Sequence, residues 1–308
     1  MSSSFKNQTI TTTKQGEKMK KTLLALLSAA LLITVTQPAQ AEDQKVLAII
    51  DYAIESTKFA SIIHEVCITS AQAVPSKMAC PNGKSFMEGK GAASAPWPAS
   101  INNATYHGDS MVKAALAVNP NVKIVFVRYA DVNSKGNSLN SPDVLVEAIK
   151  WVSNNADKHS IDAVSISQSS ISENNLNRCK TDTTAISAVA LLNSKNVPTF
   201  VATGNDGRTD IVGFPSCFTG VVAVGALSNT SAFEKSSNRG VGVKLVAIGK
   251  VEATKFNGSP TTLYGTSTAT VAAAASYLKD NTQKSFADYI NGLTKVVVSG
   301  TSYPYSSR

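Results

Sequence analysis

From Lys45 onward the chain alternates short, continuously apolar runs with segments of helical periodicity, and this order constrains the fold more than any other feature. VLAII (46–50), VKIVFVRYA (122–130), AVSIS (163–167), PTFVAT (198–203), VVAVGA (221–226) and VKLVAIG (243–249) read as strands. Their hydrophobicity is unbroken rather than alternating, so both faces must be covered, as in a parallel sheet between helix layers. Helices are expected over 54–66, 107–118, 142–155 and 182–194. Ser141-Pro142-Asp143 supplies a helix start with a capping hydroxyl, a proline in the first turn and an early acid. The fold class is therefore α/β: a mostly parallel, doubly wound sheet with helices on both faces. Residues 68–106, with their Pro, Gly and Ser, break the alternation and read as an insertion. No internal repeat and no second domain is visible, and Ser302 to Arg308 reads as a frayed tail.

The first 41 residues read as a leader. Met19-Lys20-Lys21 is a basic start, Thr22 to Val35 is apolar, and Ala39-Gln40-Ala41 fits a signal-peptidase site. Translation is expected to start at Met19 and the mature chain at Glu42, giving one domain over 42–308. An apolar stretch this short falls below the roughly 20 residues of a membrane helix, and no later run is long enough. The expectation is an exported, soluble monomer, secreted or periplasmic, with a signal peptide of bacterial type. Residues 1–41 hold five Lys or Arg and one acid, so their removal lowers the formal charge from +8 to +4. That is too mild to argue for a nucleic-acid partner.

All four cysteines, Cys67, Cys80, Cys179 and Cys217, fall in the exported part, where disulfides are the expected state. Three pairings are possible. Cys67 with Cys80 and Cys179 with Cys217 is favoured because the first closes a short loop, worth about 3 kcal/mol in the chain-entropy account. No CxxC spacing is present to suggest a zinc or redox site.

In an open parallel sheet, ligands bind beyond the carboxyl ends of the strands. Asp51 closes the first run, in VLAIID. Of three histidines, His64 opens HExxI rather than HExxH, because Ile68 replaces the second zinc ligand, and His159 reads as a surface residue at a helix end. His107 starts a helix directly after the insertion. VPTFVATGNDG runs a strand into a turn that presents the Asn205 amide. GTSTAT (265–270) sets Ser267 at the mouth of an alanine-rich helix that is apolar on nearly every side. Unpaired N–H groups and the positive end of the helix dipole meet there, a field that stabilises negative charge on an attacked carbonyl oxygen.

Taken together these segments resemble the subtilisin-like serine protease family (peptidase S8), from about Val46 to Leu278. AIIDYAIE resembles its aspartate strand, HGDSMV its histidine motif, VATGNDG its oxyanion asparagine segment and GTSTAT its serine motif. SISQSS (165–170) is similar to the strand that pairs with substrate, and FPSCFTGVVAVGA to the stretch after the asparagine. The order Asp, His, Ser is the subtilisin order. The resemblance implies a three-layer subtilisin-like fold and a serine endopeptidase that cuts protein or peptide substrates. Ser267 would be the nucleophile, His107 the general base, Asp51 its orienting carboxylate and Asn205 an oxyanion donor. Ser167, Gln168, Ser169, Thr203 and Gly204 would bind substrate, Gly265 would let it approach closely, and Thr266 would cap the helix. No cofactor or metal is expected; calcium is common in the family, but no acid-rich loop here can be assigned to it.

Departures from the family pattern carry their own expectations. Tyr52-Ala53 follows the aspartate in place of Ser or Thr and Gly, affecting how Asp51 is oriented. Asp109 beside His107 is expected to raise the histidine pKa. Thr268 replaces the usual Met, Val271-Ala272 the usual Pro-His, and Ser169-Ser170 a Gly pair, which narrows the specificity pocket. Only residues 42–50 separate the expected cleavage from Asp51, leaving no room there for a folding-assisting pro-domain. The competing reading is a degenerate subtilisin-like domain that binds peptides or a surface partner without cutting them. An α/β-hydrolase esterase is disfavoured by the lack of GxSxG. A P-loop at NGKS (82–85) is disfavoured by Met78, where the first glycine belongs.

Overall fold

The computed structural model describes residues 44–70, 79–94, 107–132, 138–139, 141–254, 259–280 and 285–307. The leader and its cleavage site lie outside the described residues, as does most of the insertion. Residues Gln44–Arg308 form one compact unit.

The strands are β1 (Val46–Tyr52), β2 (Ile62–Ile68), β3 (Phe86–Glu88), β4 (Lys123–Val132), β5 (Ser138–Leu139), β6 (Ile161–Ile166) and β7 (Thr199–Ala202), then β8 (Val222–Asn229), β9 (Ala232–Phe233), β10 (Leu245–Ile248), β11 (Lys250–Thr254), β12 (Pro260–Tyr264), β13 (Lys295–Val298) and β14 (Thr301–Ser306). The helices are α1 (His107–Val118), α2 (Pro142–Asn155), α3 (Glu173–Thr181), α4 (Thr183–Ser194), α5 (Thr266–Asp280) and α6 (Phe286–Gly292). The main sheet runs β13-β14-β10-β8-β7-β6-β1-β4-β2-β3. Pairing is parallel from β14 through β2 and antiparallel at both edges. β11 and β12 form a separate antiparallel ribbon.

The unbroken apolar runs face two cores. In β1, Leu47 and Ile49 join the layer of α1 and α5, while Val46, Ala48 and Ile50 join that of α2 and α4. Every residue of α5 from Thr266 to Leu278 is buried, and its alanines let it lie close against β6, β7 and β8. The chain runs outward from β1 to β2, returns through β4 beside β1, then crosses to β6 on its other side. This reversal opens a crevice at the carboxyl end of β1.

Four local expectations need correction. Residues 54–66 are not a helix: a short 3-10 turn, Ser56–Lys58, leads into β2, whose β-branched residues pair with β4. The Ser141 hydroxyl makes no capping bond at α2; Pro142 sets the start, and Asp143 pairs instead with Arg178 at 2.6 Å. The tail is a strand, since β14 inserts between β10 and β13, and the Ser307 carbonyl accepts from Ser276 Oγ on α5 at 2.8 Å. Helix α3 was not expected because it buries no residue and so has no apolar stripe. It is held by Arg178 with Asp143 and Asp182 and by the Cys179–Cys217 disulfide. Both favoured disulfides are present, Cys67–Cys80 and Cys179–Cys217, each with Cα atoms 5.7 Å apart.

Candidate active site

Asp51 stands at the carboxyl end of β1, fully buried. Its Oδ1 accepts from the Tyr52 N–H at 2.6 Å and from His107 Nδ1 at 2.7 Å. A carboxylate facing Nδ1 holds that nitrogen protonated, which leaves Nε2 as a free acceptor. The Tyr52 ring meets the imidazole edge-on, with centroids 5.6 Å apart. Burial disfavours the imidazolium, but the charge and hydrogen bond of Asp51 outweigh it, so the His107 pKa stands above its ordinary value. Asp109 is not among the causes of that rise, contrary to expectation.

His107 begins α1, and Gly108 lets the helix come this close to β1. A Cβ there would stand 2.6 Å from the Tyr52 carbonyl oxygen and 2.8 Å from Phe126 Cζ. Upstream of α1, the insertion is tied down at residues 91–94. Glu65 Oε1 and Oε2 accept from the Gly91 and Ala93 N–H groups at 2.8 and 3.0 Å, and Arg128 Nη1 donates to the Ser94 carbonyl at 2.9 Å. Neither Glu65 nor Arg128 stood out in the sequence; a charge inside an apolar run was the available signal.

Asp109 is buried, and its Oδ1 accepts from the Glu55 N–H at 2.9 Å. Burial, above all, raises its pKa from 3.8 to about 7. The folded state therefore holds a proton that the unfolded chain releases, and stability falls as pH rises from about 4 through 7. Asp109→Asn keeps the Glu55 bond without the charge. It should raise unfolding free energy at pH 8 by as much as about 4 kcal/mol and change it little at pH 4, as read from urea titrations.

At the mouth of α5, Ser267 and Ser167 hold each other. Ser267 Oγ donates to the Ser167 carbonyl and Ser167 Oγ to the Ser267 carbonyl, both at 3.2 Å. Ser167 directly follows β6, and Ile50↔Ile166 are partners across β1 and β6, so Asp51 and Ser167 emerge side by side from adjacent strands. Asn205 closes the group. Its Oδ1 accepts from both the N–H and the Oγ1 of Thr266, each at 3.0 Å. Because these groups donate, the oxygen of the amide must face them, and the NH₂ is left to point elsewhere. Thr266 thus does not cap the helix as expected; Asn205 caps Thr266, and the Thr266 hydroxyl fixes the amide. Gly265, at φ +101°, makes the bend into α5.

Asn238 was not singled out from the sequence, yet it builds the turn carrying Asn205. It is fully buried, donating to the Thr203 carbonyl and Asp206 Oδ2 at 3.0 Å and accepting from the Asp206 and Arg208 N–H groups at 3.1 and 3.0 Å. The Thr203 hydroxyl donates back to the Asn238 carbonyl at 2.8 Å. Nothing in SSNRG distinguishes this asparagine from a loop residue.

Gln168, Ser169 and Ser170 line a cavity of about 380 Å³ with Tyr129, Asn175 and Phe214. The Ser169 hydroxyl turns away to the Thr203 carbonyl at 3.2 Å, and that of Ser170 accepts from Asn175 Nδ2 at 2.8 Å. Of the remaining histidines, neither joins Asp51: His64 and His159 stack on each other, with centroids 4.1 Å apart.

A buried carboxylate bonded to an imidazole, a serine at a helix N-terminus and a fixed amide are groups of the kinds that acyl transfer uses. The sequence agrees: a profile of the subtilase family, peptidase S8, matches residues 98–293, and the chain belongs to that family. His107, Asn205 and Ser267 fall within the matched span, and Asp51 lies upstream of it. Among solved structures, a protease from Pseudoalteromonas arctica is similar at a TM-score of 0.61 and 18% identity, over 85% of this chain and 87% of that one. A lanthipeptide protease is similar at a TM-score of 0.54 and 18% identity, over 76% and 72%. At this identity they establish the three-layer fold. No curated protein matches the sequence.

Proposed function

We propose that the protein is a secreted or periplasmic serine endopeptidase that hydrolyses peptide bonds through an acyl-enzyme on Ser267. The observation that carries this reading is the 2.7 Å bond from His107 to a buried carboxylate, because it leaves Nε2 basic at the start of α1, the helix that packs against the one bearing the serine. Ser267 Oγ attacks the scissile carbonyl while His107 Nε2 takes its proton. The tetrahedral oxyanion is held by the Ser267 N–H, in the first turn of α5, and by the Asn205 NH₂. His107 then protonates the departing amine, and water activated by the same nitrogen releases the acid product and restores the serine. Asp51 balances the imidazolium that forms at each step. Substrate would run along Ser167 to Ser169 opposite Thr203 and Gly204, with one side chain in the cavity beside Phe214. Export is supported by the two disulfides and the leader pattern.

The test is cleavage of an unfolded protein substrate, with the cut bonds mapped by mass spectrometry. Asn205→Ala should lower turnover on the order of 100- to 1000-fold with little change in KM, the magnitude known for such a donor in subtilisin. Unchanged turnover in that variant would remove Asn205 from the oxyanion site. The reading of a peptide-binding domain that does not cut has one observation on its side. The Ser267 hydroxyl donates to Ser167, and among the described residues no hydrogen bond joins it to His107. Such bonds often tighten only when substrate is bound.

A further inference from the structure

The two histidines that the Asp51 site does not use meet at the β2–β3 edge of the sheet. His64 on β2, Glu88 on β3 and His159 just beyond the end of α2 come from three separate segments, yet one ligand atom from each lies within 4.8 Å of the others. His64 Nε2 is 3.1 Å and His159 Nε2 3.9 Å from the same oxygen, Glu88 Oε1. Trp151 of α2 packs on both imidazoles, with centroids 6.0 Å from His64 and 5.5 Å from His159. His159 stands past the end of the helix, as the sequence suggested, but is half-buried there. Its Nε2 is buried with no hydrogen-bond partner among the described residues.

We propose that His64, Glu88 and His159 bind one divalent transition-metal ion of the zinc type. Two imidazole nitrogens and one carboxylate oxygen form the donor set that such ions take, at about 2.0–2.2 Å from each, with water completing the shell. Calcium and magnesium prefer oxygen throughout and fit this set poorly. An ion here satisfies the buried His159 nitrogen, which nothing else in the described structure does. Lys158 Nζ, 3.0 Å from Glu88 Oε1, competes for that oxygen; its side chain is 61% exposed and swings into water when the ion enters. The ion would tie the edge ribbon, stapled at Cys67–Cys80, to the end of α2, a structural role unrelated to the HExxH pattern that Ile68 breaks.

Calorimetric titration of the full chain with zinc chloride should show one equivalent bound and a higher thermal midpoint. His64→Ala, His159→Ala and Glu88→Gln should each weaken binding at least about tenfold, the smallest loss expected even for an outer-shell partner. Lys158→Ala should bind no more weakly than the parent, and His107→Ala should bind unchanged. Cobalt substitution gives a second readout that needs no variant: visible bands of a low-coordinate nitrogen–oxygen site, displaced by one equivalent of zinc. Absence of binding, binding indifferent to the three ligand variants, or binding lost in His107→Ala would each overturn the proposal.

Discussion

Ser267→Ala should lower kcat about a million-fold on any peptide the protein cleaves, with KM nearly unchanged. His107→Ala should cost about as much, and the double variant little more than either alone. In the proposed reaction the two residues act as a unit: without the imidazole the hydroxyl keeps its proton, and without the hydroxyl the imidazole has nothing to activate. Progress curves at high enzyme concentration measure this directly. Additive losses would mean that His107 acts elsewhere in the reaction. What activity remains is the share supplied by Asn205, the α5 N-terminus and substrate binding.

Asp51→Asn should lower kcat on the order of 10,000-fold while leaving the fold intact. The oxygen that accepts from His107 Nδ1 also accepts from the Tyr52 N–H, so the amide keeps its oxygen there, and what the substitution removes is the charge that balances the imidazolium formed in the transition state. The pH profile carries a second signature. Only neutral His107 acts as the base, so activity falls as pH drops through its pKa, which lies above 6.5 in the parent. In the variant the Asp51 charge that raises that pKa is gone and burial, which lowers it, remains. The acid limb should therefore move to lower pH. A limb that stays in place would show that Asp51 does not set the charge state of His107.

Much of this architecture was legible because the physics behind it is local and periodic. Unbroken apolar runs such as VLAII correctly demanded two covering layers, and α1, α2 and α4 lie within a residue of where periodicity placed them. The stretch 54–66 misled because IIHEV suits a helix stripe and a strand alike; what decides is the vacant edge of β4, which no local window contains. Residues 302–308 misled for a similar reason. TSYPYS has no apolar run of its own, and its strand exists because β10 offers an edge. Within the site, residues with a distinctive neighbourhood were legible: Asp51 after five apolar residues, and Ser267 at the mouth of an alanine-rich helix. Asn238, Glu65 and Arg128 were not, because their importance lies in hydrogen bonds to backbone far away in sequence. The Asp109 outcome shows the same limit, since adjacency to His107 suggested an electrostatic partner while the fold turns the carboxyl to the Glu55 N–H.

The proposed chemistry stands or falls with the activation of Ser267 by His107. The most direct test is the intact mass of the folded chain after treatment with a fluorophosphonate, with the modified peptide identified. One adduct is expected, on Ser267, absent in Ser267→Ala and lost in His107→Ala. A folded parent chain that takes no adduct, or takes it on another serine, would mean that His107 does not activate Ser267 and would favour a domain that holds peptides without cutting them.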